Sequence, residues 1–368
     1  MPKKTLRIAN AGGFWGDDPD ALKRQIEGGP VDFITMDFLA EVTMSILKKQ
    51  ELKQKDLGYA KDIITMLEDC LEGLLRKKIC LITNAGGTNP RSCARAIQKM
   101  AKAKGLSPKI AVVDGDDILC DVKTLQDKGV DFKNLETRES FTKEVSENLS
   151  AANIYFGARP VVEALKRFKP DLIITGRVTD TGITLAAMIA HFNWQWDEWD
   201  KLASGIVAGH LLECGTQVTG GNFTDWQKVK NFKNMGFPIV EVREDGSFLL
   251  TKHPGTGGLV SCDTVREQLF YEMGDPKSYI SPDVVCDFSS VKLKSLEKED
   301  TVEVYGVRGS PATSSYKVSM AYHGGYKASG QLLISGPEAL KKAKAFAEIF
   351  WQRTSSDLFE THSEFCGW

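Results

Sequence analysis

The sequence predicts an α/β fold: a Rossmann-like, mostly parallel sheet with helices on both faces, plus a smaller C-terminal α+β unit. Short apolar runs alternate with helical patterns over residues 1–200, which is typical of βαβ units. Several of these runs end in glycine or aspartate, and ligands bind at this end of the strands in open parallel sheets. Beyond residue 283, strand patterns follow one another.

The first half of the chain supplies alternating strands and helices. Apolar runs predict strands, and apolar residues spaced by three and four predict helices. The predicted strands are 6–11, 31–36, 79–83, 110–113 and 172–175. The predicted helices are 20–27, 38–48, 58–75, 91–104, 155–168 and 183–191.

The second half of the chain predicts two further regions. A glycine-rich segment, 201–283, contains a hairpin over 239–242 and 248–251 and a helix over 264–273 capped by Asp263. Later strands are predicted at 284–288, 291–293, 301–307, 316–322 and 327–334, with a helix at 338–352. The chain therefore divides into a Rossmann-like domain (1–200), a site segment packed on it (201–283) and a small α+β unit, ferredoxin-like in one arrangement (284–368).

Composition narrows the class of protein. With 47 basic and 49 acidic residues the net charge is -2, which argues against a nucleic-acid-binding surface. The eight cysteines are scattered without a CxxC motif, as in a reducing compartment. No apolar stretch approaches membrane-spanning length, and no signal peptide is visible. We therefore expect a cytoplasmic protein that binds neither nucleic acid nor membrane.

Two predicted strands end in the same Asn-Ala-Gly-Gly turn. The first turn contains Gly12 and Gly13, and the second contains Asn84, Gly86 and Gly87. Backbone N–H groups in such turns bind anions, so both turns are candidate substrate-binding elements. The first turn also approaches the dinucleotide-binding fingerprint but lacks its first glycine, and Asp37 ends the next strand, where an acid would bind a ribose. Anion binding is the favoured interpretation.

Arg177 follows another predicted strand and lies three residues before Asp180. A strand-end arginine beside a glycine suits bidentate binding of a carboxylate or phosphate. We therefore expect Arg177 and Asp180 to contact the substrate. The alternative is an internal salt bridge from Arg177 to Asp180 or Asp114.

The stretch 208–223 is rich in glycine and reactive side chains, and only its first residues fit a helix. This composition predicts irregular backbone around a small ligand. His210 and Glu213 are three residues apart, which favours an acid–base pair on one helical face. Alternatively His210 caps a helix and Glu213 pairs with a lysine. Gln217 and Asn222 are candidates to polarise a carbonyl group.

A second glycine-rich loop contains His253 and Thr256. His253 is the candidate counterpart acid of the pair, or else a structural loop histidine, and Thr256 is a candidate substrate-binding residue. A catalytic Cys214 thiol is disfavoured because the neighbouring Glu213 would raise its pKa. No histidine spacing indicates a metal site. Mg²⁺ bound through aspartate oxygens stays open, with these candidates: Asp17, Asp18, Asp116 and Asp117.

Several long motifs in this order resemble the acyclic terpene utilisation (AtuA-like) family, formerly a domain of unknown function. They are AGGFWGDD (11–18), DFLAEVTMSIL (37–47), ITNAGGTNP (82–90), GRVTDTG (176–182), AGHLLECGTQVTGGNF (208–223) and HPGTGGLVS (253–261). The resemblance implies a place in the breakdown of citronellol- and geraniol-type terpenes as coenzyme A thioesters. Many members continue with further C-terminal sequence, which implies that a partner domain can complete the site.

Together these observations predict an enzyme of acyl-CoA or branched carboxylate catabolism, of lyase or hydro-lyase type. Its substrate would be a small anionic molecule, with a coenzyme A thioester as one candidate. We expect a homo-oligomer or association with a partner subunit. The alternatives are a nucleotide- and Mg²⁺-dependent enzyme, or a non-catalytic subunit of a catabolic complex.

Overall fold

A computed structural model describes residues 5–354 and 358–367. The chain forms two compact units, Met1–His323 and Gly324–Trp368. The strands are β1 (Thr5–Asn10), β2 (Phe33–Met36), β3 (Cys80–Thr83), β4 (Ile110–Val113), β5 (Leu149–Ile154), β6 (Leu172–Thr175), β7 (Pro238–Arg243), β8 (Phe248–Lys252), β9 (Tyr279–Ile280), β10 (Val285–Asp287), β11 (Lys292–Ser295), β12 (Val302–Tyr305), β13 (Arg308–Ser310) and β14 (Val318–Tyr322). The helices are α1 (Ala21–Glu27), α2 (Glu41–Lys53), α3 (Asp62–Lys77), α4 (Pro90–Ala103), α5 (Val122–Asp127), α6 (Lys143–Glu147), α7 (Arg159–Phe168), α8 (Gly182–Phe192), α9 (Trp199–Glu213), α10 (Cys262–Phe270) and α11 (Ala339–Thr354).

The first unit is built on a nine-stranded sheet with the order β11-β12-β8-β7-β1-β2-β3-β6-β4. The five strands from β1 to β4 in this order pair in parallel, with Ile34 beside Leu81 and Ile82 beside Ile173. On the other side of β1, strands β7, β8, β12 and β11 continue the sheet through antiparallel pairs. An α/β fold with a large, mostly parallel central sheet is therefore confirmed. The narrower Rossmann-like description stays a prediction.

Alternating side chains of the parallel strands point into two separate hydrophobic cores. Ile82 and Ile173 pack in the core that includes α7, α8, α9 and α10. Their neighbours Leu81 and Ile174 pack in the core that includes α1, α2, α3 and α4. Because both faces are buried, these strands are apolar along their whole length, which is why they were recognisable as continuous apolar runs.

The connections after β3 and β6 leave the sheet toward opposite faces. The chain enters α4 after β3 and α8 after β6, and these helices pack in different cores. Neighbouring parallel strands whose connections diverge in this way leave a crevice at their carboxyl ends, where ligands bind in open α/β sheets. Asn84 follows β3 and Arg177 follows β6, so both lie at this crevice.

Helix α9 differs from the expectation of irregular backbone over 208–223. It extends to Glu213, so the first six residues of that stretch are helical. Nearly all of its side chains from Leu202 to Leu212 are buried. A helix that is apolar on every side has no amphipathic period, so periodicity could not reveal it. The remainder of the stretch is formed of turns.

Two other elements begin elsewhere than predicted. The helix predicted over 155–168 begins at Arg159, and β5 precedes it. The cap of α10 is Ser261 rather than Asp263, because Ser261 and Thr264 form a reciprocal capping box. Asp263 lies instead in the first turn of that helix.

The separate α+β unit with a ferredoxin-like layout is not confirmed. Strands β11 and β12 join the edge of the main sheet, β10 pairs with β9 and β13, and β14 pairs with β5. Residues 327–334 form no strand, although α11 is present in the second unit. Strand patterns in sequence do not specify which strands pair. The observed pairing of the later strands therefore differs from that of a separate C-terminal unit. Among residues 5–354 and 358–367, no helix is long and apolar enough to cross a membrane.

Candidate active site

The crevice brings together polar residues that follow three different strands. Asp37 follows β2, and its Oδ1 accepts a hydrogen bond from Nδ2 of Asn84 at 2.7 Å. Asn84 also accepts from the backbone N–H of Phe38 at 2.8 Å. The Asn84 side chain is thus a bridge that fixes the orientation of the Asp37 carboxyl group.

Arg177 lies beneath the surface of this crevice, with only 2% of its area exposed. Its Nη1 donates to Asp180 at 2.7 Å and to the carbonyl oxygen of Leu39 at 3.0 Å, and its guanidinium lies 4.0 Å from the ring centroid of Tyr155. The structure thus shows the alternative arrangement, an internal salt bridge to Asp180, whereas Asp114 pairs with Arg91. The Nε of Arg177 has no hydrogen-bond partner among the described residues, and contact of Arg177 with a substrate stays a prediction.

Asp37 is a buried carboxyl group with one unused oxygen. Its Oδ1 also accepts from the backbone N–H of Leu39, but its Oδ2 has no hydrogen-bond partner among the described residues. Burial raises the pKa of Asp37 well above its usual range, and nearby Asp180 raises it further. Arg177 and Asn84 lower that pKa without cancelling the effect of burial. Asp37 is therefore a candidate proton donor.

His210 and Glu213 contact each other at the end of α9, as the sequence predicts. Nδ1 of His210 lies 3.1 Å from Oε1 of Glu213, and its Nε2 lies 2.9 Å from the carbonyl oxygen of Gln268. A carbonyl oxygen only accepts, so Nε2 carries a proton. The contact between Nδ1 and Oε1 then holds one further proton, on either the imidazole or the carboxyl group.

The pair leaves one oxygen of Glu213 available for chemistry. His210 is 2% exposed, and both of its nitrogens are engaged with protein groups. Oε2 of Glu213 is buried and lacks a partner in the described part of the chain. Burial raises the pKa of Glu213, while His210 opposes this effect and Asp180 adds to it. Burial lowers the pKa of His210, but Glu213, the carbonyl oxygen of Gln268 and the charge of Glu272 together raise it, and the net shift is upward.

Asp180 connects the two buried carboxyl groups electrostatically. Its charge raises the pKa of both Asp37 and Glu213. Asp37 in turn contributes to the raised pKa of Cys214, behind burial and Glu213, so the Cys214 thiol is not activated. Asp37 and the end of α9 therefore belong to one electrostatic cluster, and Asp180 is its more exposed member.

Three amides of the glycine turns donate hydrogen bonds within the protein. The N–H of Gly12 donates to Oδ1 of Asn10 at 2.9 Å, and the N–H of Gly13 donates to Asp17 at 2.8 Å. In the second turn, the N–H of Gly87 donates to the carbonyl oxygen of Asn84 at 3.1 Å. These turns shape the edge of the sheet, while the open hydrogen-bonding capacity lies on side chains.

Gly13 allows the first turn to contact the end of α9. A β-carbon there would lie 2.6 Å from the carbonyl carbon of Cys214 and 2.8 Å from the carbonyl oxygen of Glu213. Gly13→Ala is expected to lower the unfolding free energy by about 1–3 kcal/mol, as overpacking does. Gly274→Ala is the control, because nothing lies within 4 Å of its added methyl group. Urea unfolding of both variants tests this, and equal stabilities would contradict the close contact.

The other predicted site residues lie in other surroundings. His253 packs against Gly28, and its Nε2 lies 3.3 Å from the carbonyl oxygen of Gln25. Burial lowers the pKa of His253. The hydroxyl of Thr256 donates to the carbonyl oxygen of His253 within the same loop. These contacts do not bring His253 to Glu213, and they match the structural-loop interpretation.

The aspartates considered for Mg²⁺ are engaged with other groups. Asp17 accepts from Gly13, Asp18 pairs with Arg24, and Asp117 pairs with Lys48. Asp116 accepts from the side chain of Asn153 and the backbone of Arg177, each at 2.9 Å. Within residues 5–354 and 358–367, no group of three His, Cys, Asp or Glu side chains could hold a metal ion. Use of Mg²⁺ stays a prediction.

Sequence reasoning missed Tyr155, which covers one face of Arg177. Its hydroxyl donates to Glu41 at 2.6 Å, and Glu41 also accepts from Lys317 at 2.7 Å. Burial opposes ionisation of Glu41, yet the bonds from Lys317 and Tyr155 lower its pKa to about 2. The three residues come from distant parts of the chain, so no local pattern could have found them.

Asp283 is a second missed residue, and it fixes the start of α7. Both of its carboxylate oxygens accept from the backbone N–H of Ala158, at 3.0 and 2.8 Å. Burial raises the pKa of Asp283 from 3.8 to about 6, against the opposing effects of Ala158 and Arg159. The carboxyl group therefore titrates at a higher pH in the folded protein than in the unfolded chain.

Asp283→Asn is expected to change how stability depends on pH. Because the folded-state pKa is raised, Asp283 favours folding below about pH 4, and this contribution is lost as pH rises through 6. The unfolding free energy of the wild type minus that of the variant should therefore fall between pH 4 and pH 7. Urea unfolding at both values measures it, and a constant difference would contradict the raised pKa.

Comparison with known proteins gives one clear result. The chain matches the family model described as acyclic terpene utilisation family protein AtuA over residues 6–367, nearly its whole length. The chain therefore belongs to the acyclic terpene utilisation family, and the resemblance of its motifs is confirmed. Neither the curated proteins nor the solved structures contain a match.

Proposed function

We propose that this member of the acyclic terpene utilisation family is an intracellular enzyme that adds or removes water next to the carbonyl group of a branched carboxylate or its thioester. The name of the family fits a catabolic role of this kind. The observation that carries the proposal is the pair of buried carboxyl groups, Asp37 and Glu213, each with a raised pKa and one oxygen without a partner among the described residues. Enzymes use such groups for general acid–base catalysis near neutral pH.

The two carboxyl groups take complementary roles in this proposal. Glu213, when ionised, removes a proton from the carbon next to the carbonyl group. Asp37, held protonated by burial, gives its proton to the leaving hydroxyl group, which departs as water. Carboxyl groups whose pKa values are raised by burial suit proton transfer in both directions of such a reaction.

The surrounding residues prepare this pair. His210 orients Glu213 and shares its proton, so His210 is a positioning residue. Asn84 holds Oδ1 of Asp37 and leaves Oδ2 for the substrate. Arg177 offsets the negative charge of Asp37 and Asp180 and so keeps the acids within a usable pKa range. In this assignment Asp37 replaces His253 as the counterpart acid.

A nucleotide-dependent reaction has less support. Its Mg²⁺ would have to displace Arg24 from Asp18, Lys48 from Asp117, or the backbone N–H of Arg177 from Asp116. The two buried carboxyl groups with raised pKa values favour proton chemistry instead.

Solvent-deuterium incorporation tests the proposal without knowledge of the final product. The protein is incubated in D₂O with a panel of branched 3-hydroxyacyl and 2-enoyl thioesters of coenzyme A, and mass spectrometry follows the mass of each thioester. Gain of deuterium and loss or gain of water are expected for at least one member. Absence of both across the panel would count against the proposed function.

A further inference from the structure

A cavity of about 550 Å³ is lined in part by Gln268, which is bonded to His210. It lies between the segment that follows α9 and the outer face of α10. This volume falls within the range of about 300–1,000 Å³ that is usual for small-molecule sites. The cavity is not part of the acid–base cluster described above.

Three carboxamide side chains line this cavity. Gln217 and Asn222 come from the segment after α9, and Gln268 comes from α10. Oε1 of the buried Gln268 lacks a hydrogen-bond partner among the described residues, while Gln217 is half-buried and Asn222 is exposed. Each carboxamide supplies an acceptor oxygen and two N–H donors. The cavity therefore has carboxamide donors and acceptors in one place.

The charged residues of the cavity disfavour an anionic ligand. Arg266 is the basic residue of the lining, and it already pairs with Asp263 at 2.7 Å. Asp225 pairs with Lys228, and Glu267 adds a carboxylate that accepts from the backbone N–H of Thr224 at 3.0 Å. The cavity lining has more acidic than basic side chains, so a phosphate or carboxylate would be repelled there. A neutral polar ligand would not be repelled.

Gln268 links the cavity to the proposed acid–base pair. The side-chain Nε2 of Gln268 donates to the backbone carbonyl oxygen of His210 at 3.1 Å. The backbone carbonyl oxygen of Gln268 lies 2.9 Å from Nε2 of His210. A ligand bonded to Gln268 is thus one residue away from His210, and His210 contacts Glu213. This arrangement places a recognition site beside the reacting groups.

We propose that the cavity binds a neutral arm of the substrate, a chain that carries amide N–H and hydroxyl groups, and this inference rests on the proposed function. The arm would donate to Oε1 of Gln268 and exchange hydrogen bonds with Gln217 and Asn222. The reacting carbonyl group at the end of the arm would then be directed toward Glu213. The anionic part of a longer substrate lies outside this cavity.

Direct binding of pantetheine tests the inference, because pantetheine is neutral and carries two amides and two hydroxyl groups. Calorimetry with the full chain should show saturable binding that inorganic phosphate does not displace. Asn222→Leu and Gln217→Leu should each weaken binding by about 5- to 10-fold, as loss of one or two hydrogen bonds does. Gln98→Leu, an exposed position on α4, is the matched control and should bind as the wild type does.

Several results would overturn the inference. They are the absence of pantetheine binding to the wild type, unchanged binding by both cavity variants, and displacement of pantetheine by phosphate. Circular dichroism establishes that each variant is folded before its binding is measured.

Two measurements on the wild type separate this inference from the proposed function. If pantetheine binds but no thioester exchanges deuterium, the proposed function fails and the binding site stands. If thioesters exchange deuterium but pantetheine does not bind, the inference about the cavity fails alone.

Discussion

Glu213→Gln is expected to lower the rate of deuterium exchange by about 10²–10⁴-fold, the usual contribution of a general acid or base. Glutamine keeps the shape and one acceptor oxygen for His210 but cannot take a proton from carbon. Its buried surroundings tolerate a neutral group at least as well as a carboxylate, so the unfolding free energy should change little. Mass-spectrometric exchange rates and urea unfolding of the same preparation measure both effects.

Glu198→Gln is the matched control for this variant. Glu198 lies immediately before the first residue of α9, at the opposite end from Glu213, and pairs with Lys201 near the surface. We expect it to keep the exchange rate of the wild type. Similar rates for Glu213→Gln and Glu198→Gln would remove Glu213 from the mechanism.

Arg177→Met is expected to lower the unfolding free energy by about 3 kcal/mol. Breaking a buried ion pair by removing one partner costs about 3–5 kcal/mol. We expect the lower end of this range, because the side chain of Asp180 is 37% exposed and water replaces part of its lost interaction with Arg177. The variant also leaves the carbonyl oxygen of Leu39 without its bond from Arg177. Urea unfolding at neutral pH gives the value.

The pH dependence of this loss identifies its cause. Arg177 lowers the pKa of Asp37 and so opposes the effect of burial, while the hydrogen bonds from Asn84 and Leu39 remain in the variant. The loss of stability should therefore grow as pH rises through the range in which Asp37 titrates, and it should be smallest at low pH, where Asp37 is protonated in both proteins. Arg167→Met, at the end of α7, removes an arginine that lies over Phe168 and serves as the control. Equal losses for the two variants would show that the buried charges are not coupled as described.

The sequence predicted the parallel part of the sheet because burial on both faces leaves a simple pattern. Strands β3, β4 and β6 are continuous apolar runs closed by polar or glycine residues, and their bounds were found almost to the residue. Helix α9 was missed for a related reason, since burial on every side removes the amphipathic period. The pairing of β12 with β8 and of β14 with β5 depends on contacts between distant segments, which no local pattern encodes.

The sequence singled out some of the residues that meet in this crevice, but not all of them. Asn84, Arg177 and Glu213 stood out because each follows an apolar run or lies within an unusual motif. The burial of Arg177 and the hydrogen bonds of the Gly12 and Gly13 amides were not foreseen, because neither can be read from residue type. Asp37 is a candidate acid because it is buried and its Oδ2 has no partner among the described residues, and the sequence shows neither property.

The most direct measurement of the central claim is a titration of the carboxyl ¹³C chemical shifts of Asp37 and Glu213, assigned by Asp37→Asn and Glu213→Gln. Both pKa values should lie above their ordinary values of 3.8 and 4.5. His210→Gln should move the titration of Glu213 further upward, because the imidazole lowers the pKa of that carboxyl group. Ordinary pKa values for both carboxyl groups would contradict a buried acid–base pair at this site.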